Sequence, residues 1–267
     1  MYIKEFTINS NTLTLFTNIL SFALVLGIIF ANLSMGSVLS KELKIYEMYK
    51  LLYKSYGPQG WWPFLKSGYD KGNYRFNKTS DEIFEVALGT ILTQNTTFKS
   101  VVKSLQNLKA LDALNPTSIK KLDIESLKLA IKPSGYFNQK ARYILEFISF
   151  YESLNGRVPS RDELLSVLGI GPESADSILL YGYNQSEFEI DAYTKRVLLE
   201  LGLIDERAKY KEMKELMQKS LEEFIKDEKQ RVIAFQEYHA LIVNHSKDFY
   251  SKKPYGVGCM LKERFSC

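Results

Sequence analysis

Cysteine is nearly absent from this 267-residue chain: the two present, Cys259 and Cys267, both fall in the last nine residues. A bond between them would close only a short tail loop, so the body must fold without cross-links. Histidine is as scarce, with His239 and His245 alone, which leaves a Cys/His zinc site hard to build, and no metal is expected. The cytoplasm is the natural compartment for such a composition. A strong excess of charge is also missing. The formal +4 permits a polyanionic partner without demanding one.

Charge is missing altogether between Glu5 and Lys41, where Ile19 to Leu33 is almost wholly apolar. Such a run can cross a bilayer, although Thr17, Asn18 and Asn32 weaken that reading. Lys4, balanced by Glu5, does not make the basic start of a signal peptide. Three readings stay open: a membrane helix, an extension upstream of the working protein with Met35 or Met48 as its true first residue, or a helix packed on the protein. Any membrane association is confined to residues 6–40.

What the chain does contain is enough apolar content, 45%, to bury a core as one large domain or two small ones. Charged residues at 25% argue against wholesale disorder. From Lys41 onward the apolar spacing is helical. Glu42 to Tyr56 offers Leu43, Tyr46, Leu51 and Leu52 to a buried face. Gly57 to Thr79, with Trp61, Trp62, Pro63 and Phe64, keeps neither period and reads as an ordered loop. Ser80, with Glu82 just downstream, opens a helix through Leu92. Further helices are predicted at Phe98–Leu108, near Ser118, and at Ile124–Ile131, Phe137–Tyr151, Arg161–Leu168, Pro172–Tyr181, Ala192–Leu201, Tyr210–Phe224 and Lys229–Ser246. No run alternates cleanly for a strand, so the fold class is all-α with short connections.

Pro159 to Leu180 is the most informative stretch. Ser160 and Glu163 form a capping box for the helix that starts at Arg161. Gly169-Ile170-Gly171 is a turn in which glycine can take angles closed to other residues, and Pro172 suits the first turn of the next helix. The free N–H groups of Gly171 and the turn after it would form a small cup for a phosphate. The same four residues also serve simply to end one helix and begin another. Asp191, ahead of Ala192 to Leu198, likewise has a plain reading as a helix N-cap.

The order of these parts narrows the choice. A Gly-Ile-Gly turn, a helix of about a dozen residues, a short polar loop and an aspartate at a helix start resembles the helix-hairpin-helix DNA glycosylases related to endonuclease III. Leu92-Thr93-Gln94-Asn95-Thr96 resembles that family's segment whose glutamine fills the space left by an extruded base. Pro133-Ser134-Gly135-Tyr136-Phe137-Asn138-Gln139-Lys140-Ala141 resembles the link between two helices of its six-helix domain. With Trp61-Trp62-Pro63 included, the chain most resembles the bacterial endonuclease III-type 3-methyladenine DNA glycosylases, over roughly Tyr46 to Lys253.

The resemblance implies a six-helix domain, residues 80–186, with the hairpin at 160–183. It also implies a second helical domain from 41–79 and 187–253, with the apolar extension 1–40 and a tail 254–267 outside both. It implies a monomeric enzyme that acts on double-stranded DNA containing a damaged base, and cuts the N-glycosidic bond of alkylated purines such as 3-methyladenine. Asp191 would be the catalytic carboxylate, and Gln94 the residue inserted into DNA. Trp61, Trp62, Pro63 and Phe98 would line the base pocket, with Lys247 and His239 near it. Gly169, Ile170, Gly171, Glu173, Ser174 and Lys140 would contact the DNA backbone.

Two departures from the family carry information. Where bifunctional members hold a lysine that forms a Schiff base, this chain has Glu173, which has no amine to offer. That favours base removal without strand cleavage, although Lys140, Lys195 and Lys247 remain as amines. Lys253-Pro254-Tyr255-Gly256-Val257-Gly258-Cys259 resembles a tail that in many relatives binds a [4Fe–4S] cluster. Cys259 matches one ligand, Cys267 sits two residues beyond another, and two are lacking, so no cofactor is expected. The alternatives are an endonuclease III-like glycosylase/lyase for oxidised pyrimidines and a non-catalytic DNA-binding module.

Overall fold

The computed structural model describes residues 40–65 and 67–266; the apolar run Ile19–Leu33, Met35 and Cys267 lie outside them. The helices are α1 Lys41–Tyr56, α2 Ser80–Thr93, α3 Phe98–Ala110, α4 Pro116–Lys121, α5 Ile124–Ile131, α6 Phe137–Ser153, α7 Arg161–Ser166, α8 Pro172–Ser177, α9 Ala192–Glu200, α10 Tyr210–Glu222, α11 Glu228–Phe249 and α12 Met260–Phe265. A wider turn, Ile178–Gly182, prolongs α8 without a break. The described residues contain no strand, and none of their helices is long and apolar enough to cross a membrane.

Helix starts follow side-chain chemistry. Thr97, Asn115, Asp123, Ser160, Asp191 and Asp227 each accept the N–H three residues on, a contribution of about 1 kcal/mol apiece. The expected capping box at Ser160 and Glu163 is present. The start of α2 is shifted: Thr79 is the cap, bonded reciprocally with Glu82, and Ser80 is the first helical residue. The capping box needs a spacing of three, which Ser80 and Glu82 do not have.

Two apolar clusters form the interior. The first joins Ile45, Met48 and Leu52 of α1 to Leu198, Met217, Phe235 and Tyr238 of α9, α10 and α11. The second joins Leu88 and Ile91 of α2 to Leu105, Phe147, Ile148 and Leu164. α2 serves both, since its Val86 belongs to the first. On α1 the buried stripe is Ile45, Met48 and Leu52; of the expected face Leu52 is buried, while Leu43, Tyr46 and Leu51 are half-buried. Tyr46 instead stacks on Phe224 with ring centroids 4.4 Å apart. A first residue at Met48 would therefore cut away the fully buried Ile45, whose carbonyl accepts from the Tyr238 hydroxyl at 3.0 Å.

A buried polar knot links the hairpin to α10. Asp176 of α8 is fully enclosed. Its Oδ1 accepts from Arg161 Nε and Lys214 Nζ, both at 2.7 Å. Its Oδ2 accepts from Tyr210 Oη at 2.7 Å. Tyr210 Oη in turn accepts the N–H of Ile190 at 3.3 Å, and so reaches the residue before Asp191.

Candidate active site

Asp191 caps α9 with one carboxylate oxygen and leaves the other for a different task. Oδ1 accepts the Thr194 N–H at 2.7 Å, while Oδ2 faces His239 Nε2 of α11 at 3.7 Å. The other imidazole nitrogen, Nδ1, lies 2.7 Å from Tyr181 Oη and 3.8 Å from Glu189 Oε2. Glu189 and His239 are 8% and 5% exposed. Two carboxyls thus flank one imidazole, with Glu189 and His239 buried and Asp191 half-buried.

Burial governs the charges here, because removal from water disfavours the ionised form unless a partner compensates. Burial pushes the Glu189 carboxyl up to about 7. It would also lower His239, but the carboxylates of Glu189 and Asp191 outweigh it and lift the imidazole to about 9. Burial would raise Asp191; the His239 charge and the Thr194 N–H prevail and hold it below the usual carboxylate range. Glu173 is open to solvent as a residue. Partial desolvation of its carboxyl and the nearby charge of Asp191 still push it up to about 6.

Aromatic rings run from this group to the surface. Trp61 meets His239 edge-on at 5.9 Å. Tyr181 lies 5.8 Å from His239 and 5.6 Å from Trp62. Trp62 meets Phe98 edge-on at 6.5 Å. Trp61, Trp62 and Pro63 are half-buried and Phe98 is exposed. Gly89 of α2 makes room for this arrangement, since a Cβ there would stand 2.7 Å from the Trp62 ring. Glu237 holds the incoming loop by accepting the N–H groups of Gln59 at 2.8 Å and Gly60 at 2.6 Å.

In the hairpin the two glycines do different things. Gly169 has φ +87°, and a Cβ on it would lie 2.3 Å from the Tyr143 ring; Gly171 is extended, with open space where a Cβ would go. Ile170 is buried among apolar residues, and Ser174 is buried. Gln94 reaches back to this turn, donating from Nε2 to the Gly169 carbonyl at 2.7 Å and to Ser174 Oγ at 3.2 Å. Lys140 differs most from expectation. It is 2% exposed, with Nζ bonded to the carbonyls of Leu92 at 2.7 Å and Ser134 at 2.8 Å. Enclosed in this way, it ties α2 to α6 and presents no charge to a phosphate.

Similar proteins resolve what this arrangement belongs to. The profile of the HhH-GPD superfamily of base excision DNA repair proteins matches residues 88–223, a stretch that contains Gln94, the hairpin and Asp191. A Methanocaldococcus jannaschii protein, provisionally named a DNA repair glycosylase, is 38% identical over 230 residues, 82% of this chain and 94% of its own. The chain belongs to the HhH-GPD superfamily. The endonuclease III of Sulfolobus acidocaldarius is 30% identical over 197 residues, 72% of this chain and 84% of its own. Among solved structures, the H. pylori 3-methyladenine DNA glycosylase bound to 1,N6-ethenoadenine superposes with a TM-score of 0.62. It is 28% identical, over 76% of this chain and 97% of that one. A complex of endonuclease III with DNA gives 0.63 at 19% identity, over 83% and 94%, a likeness of fold.

In this HhH-GPD protein the C-terminal tail packs Cys259 against α11. Cys259 is fully buried, its Sγ 2.9 Å from His245 Nε2 and 3.3 Å from Tyr250 Oη. With two cysteines in the whole sequence, the four thiolates of a [4Fe–4S] site do not exist. No group of His, Cys, Asp and Glu among the described residues is arranged to hold a metal. Lys247 is exposed two turns beyond His239 and donates to Asn244 Oδ1 at 3.3 Å. Glu189, Tyr181, Gly89 and Glu237 were not singled out in the sequence. Two signals were available: Gly89 interrupts an otherwise apolar helical run, and Glu189 lies two residues from Asp191.

Proposed function

We propose that this HhH-GPD protein is a monofunctional DNA glycosylase that hydrolyses the N-glycosidic bond of alkylated purines in duplex DNA. The observation that carries the reading is the divided carboxyl of Asp191: one oxygen fixed by the helix cap, the other facing a buried imidazole beside an aromatic passage. The likeness to the 3-methyladenine glycosylase supports the lesion class.

The damaged nucleotide leaves the stack before reaction. Gly171 and the turn after it take a phosphate, with no reading of sequence. Gln94 leaves the Gly169 carbonyl and fills the vacated space. The extruded base passes Phe98 and lies against Trp62 and Trp61, whose ring faces favour a cationic purine. As the bond to the base breaks, the ionised Asp191 stabilises positive charge on the sugar and orients the attacking water. An alkylated purine is already a good leaving group and asks little acid catalysis. Glu173, in place of a lysine, supplies no amine for a Schiff base, so the backbone stays uncut.

The test is a duplex with one alkylated purine, incubated with the protein and then heated in alkali. A strand break that requires the alkali supports the reading. A break without it establishes lyase activity, and no break across a panel of alkylated purines refutes the assignment.

A further inference from the structure

Among the described residues, four buried side-chain polar atoms lack a hydrogen-bond partner, and three of them, Glu189 Oε2, Thr194 Oγ1 and His239 Nε2, surround Asp191. Buried polar groups are nearly always paired, so such a concentration calls for a cause. Two of the three, Glu189 Oε2 and His239 Nε2, bear on the protons of His239. Tyr181 Oη is 3.1 Å from the carbonyl of Gln236, which can only accept, so the phenol donates its one proton there. The phenolic oxygen, 2.7 Å from His239 Nδ1, then accepts from that nitrogen. Nδ1 therefore carries a proton.

This leaves Nε2, aimed at Asp191 Oδ2 across 3.7 Å. A bare Nε2 would set a lone pair against a carboxylate inside the protein, where burial penalises unpaired like-signed groups. A protonated Nε2 makes an ion pair. We infer that His239 carries both ring protons in the resting protein and acts as the fixed counter-charge that keeps the half-buried Asp191 ionised. This rests on the reading of Asp191 as the reacting carboxylate, and makes His239 a positioning residue that works through it.

Every element around the ring contributes. Tyr181, from the turn that prolongs α8, orients it through Nδ1. Glu189, from the loop before α9, offers a second carboxyl at 3.8 Å. Glu173, at the start of α8, adds negative charge, and Trp61 closes one edge. With a carboxyl facing each ring nitrogen, the imidazolium is compensated in the protein interior, and its raised affinity for protons, to about 9, agrees with this.

The chain has only two histidines, so nitrogen NMR of the full protein labelled at histidine reads the inference directly, with no substrate. One histidine, missing from the spectrum of His239→Gln, is expected to show both ring nitrogens protonated at pH 7 and to lose a proton only near pH 9. The other is expected to be neutral at pH 7, since burial lowers His245 to about 4. Two neutral histidines at pH 7 would overturn the inference, whatever the protein excises. In single-turnover excision, His239→Gln should move the acid limb upward by about one to three pH units, the usual effect of an opposite charge on a carboxyl. In an Asp191→Asn background the same change should have no further effect. An unmoved acid limb in a folded His239→Gln variant would also overturn it. Should that variant fail to fold, the wild-type spectrum still decides, with the spectrum of His245→Gln identifying the signals of His239 by elimination.

Discussion

Replacing Asp191 with asparagine separates the two jobs of its carboxyl. Asparagine caps a helix about as well as aspartate, so the bond that Oδ1 now takes from the Thr194 N–H at 2.7 Å survives. What disappears is the negative charge on Oδ2, which faces His239 at 3.7 Å. His239, left with Glu189 as its nearest carboxyl, gives up its proton at lower pH, so no cation is stranded in the interior. The cost to stability is then the ion pair less the cost of burying two charges, a balance close to zero; the melting temperature should move by a few degrees at most. Excision should respond very differently. A carboxylate that stabilises the developing sugar cation contributes about 10²-fold or more, or about 2.7 kcal/mol of barrier at 1.36 kcal/mol per decade. The assay is single-turnover excision of an alkylated purine, beside a thermal melt and binding to a stable abasic-site analogue. Binding should hold or tighten slightly. Normal excision by an Asp191→Asn protein with an unchanged melt would reduce Asp191 to a helix cap and remove the mechanism.

The hairpin glycines should part company. Gly169→Ala should lose about 1–3 kcal/mol in a denaturant melt from its left-handed backbone alone, and more from the Tyr143 ring 2.3 Å from the new Cβ. Gly171→Ala should melt like the parent and yet bind damaged and undamaged duplexes equally less well, as measured by titration. Asp176→Asn should cost about 1–3 kcal/mol, because an enclosed acceptor that serves three side chains loses its charge while Lys214 keeps Glu187 and Arg161 keeps contact with water, read from the shift of the denaturation midpoint. A chain begun at Met48 should be less stable than one begun at Ser40 by at least the burial of Ile45, about 1.5–3 kcal/mol, read from the denaturation midpoint. Stability should fall as pH rises from about 6 to 9. Glu189 and His239 both bind protons more tightly folded than unfolded, so folding is favoured while they are held and loses that support as each titrates. His239→Gln should flatten the upper part of that curve in melts taken from pH 6 to 10.

Much of this was legible in the sequence because it is local. The capping box at Ser160 and Glu163, the Gly-Ile-Gly turn and the proline after it are written in neighbouring residues, and each appears where its spacing placed it. The Trp61-Trp62-Pro63 passage and Gln94 stand out through resemblance to a family. What escaped depends on which distant side chains meet. Lys140 reads as a surface cation, and only its approach to the Leu92 and Ser134 carbonyls reveals an internal tie. Burial lowers its ammonium to about 8, away from the range of an exposed lysine. Glu189 and Tyr181 gain meaning from His239, some fifty residues on, which no periodicity connects to them. On α1 the sequence pointed to Leu52 but not to Ile45, because Leu43 and Ile45 are equally apolar and the position of α11 selects Ile45.

Asp176 bears on how the molecule comes apart. Its Oδ1 is shared by Arg161, next to it in the hairpin, and Lys214, on a helix of the other apolar cluster. Tyr210 extends the knot to the backbone just ahead of Asp191. Two cores of this size, left to themselves, would melt at different temperatures and give a broad, stepped calorimetric trace. Joined through an enclosed charge that salt does not screen, they should unfold in a single transition, with van't Hoff and calorimetric enthalpies in agreement. Added salt should leave its sharpness unaltered. The turn that would hold the DNA thus has no independent looseness relative to the carboxylate that would act on it.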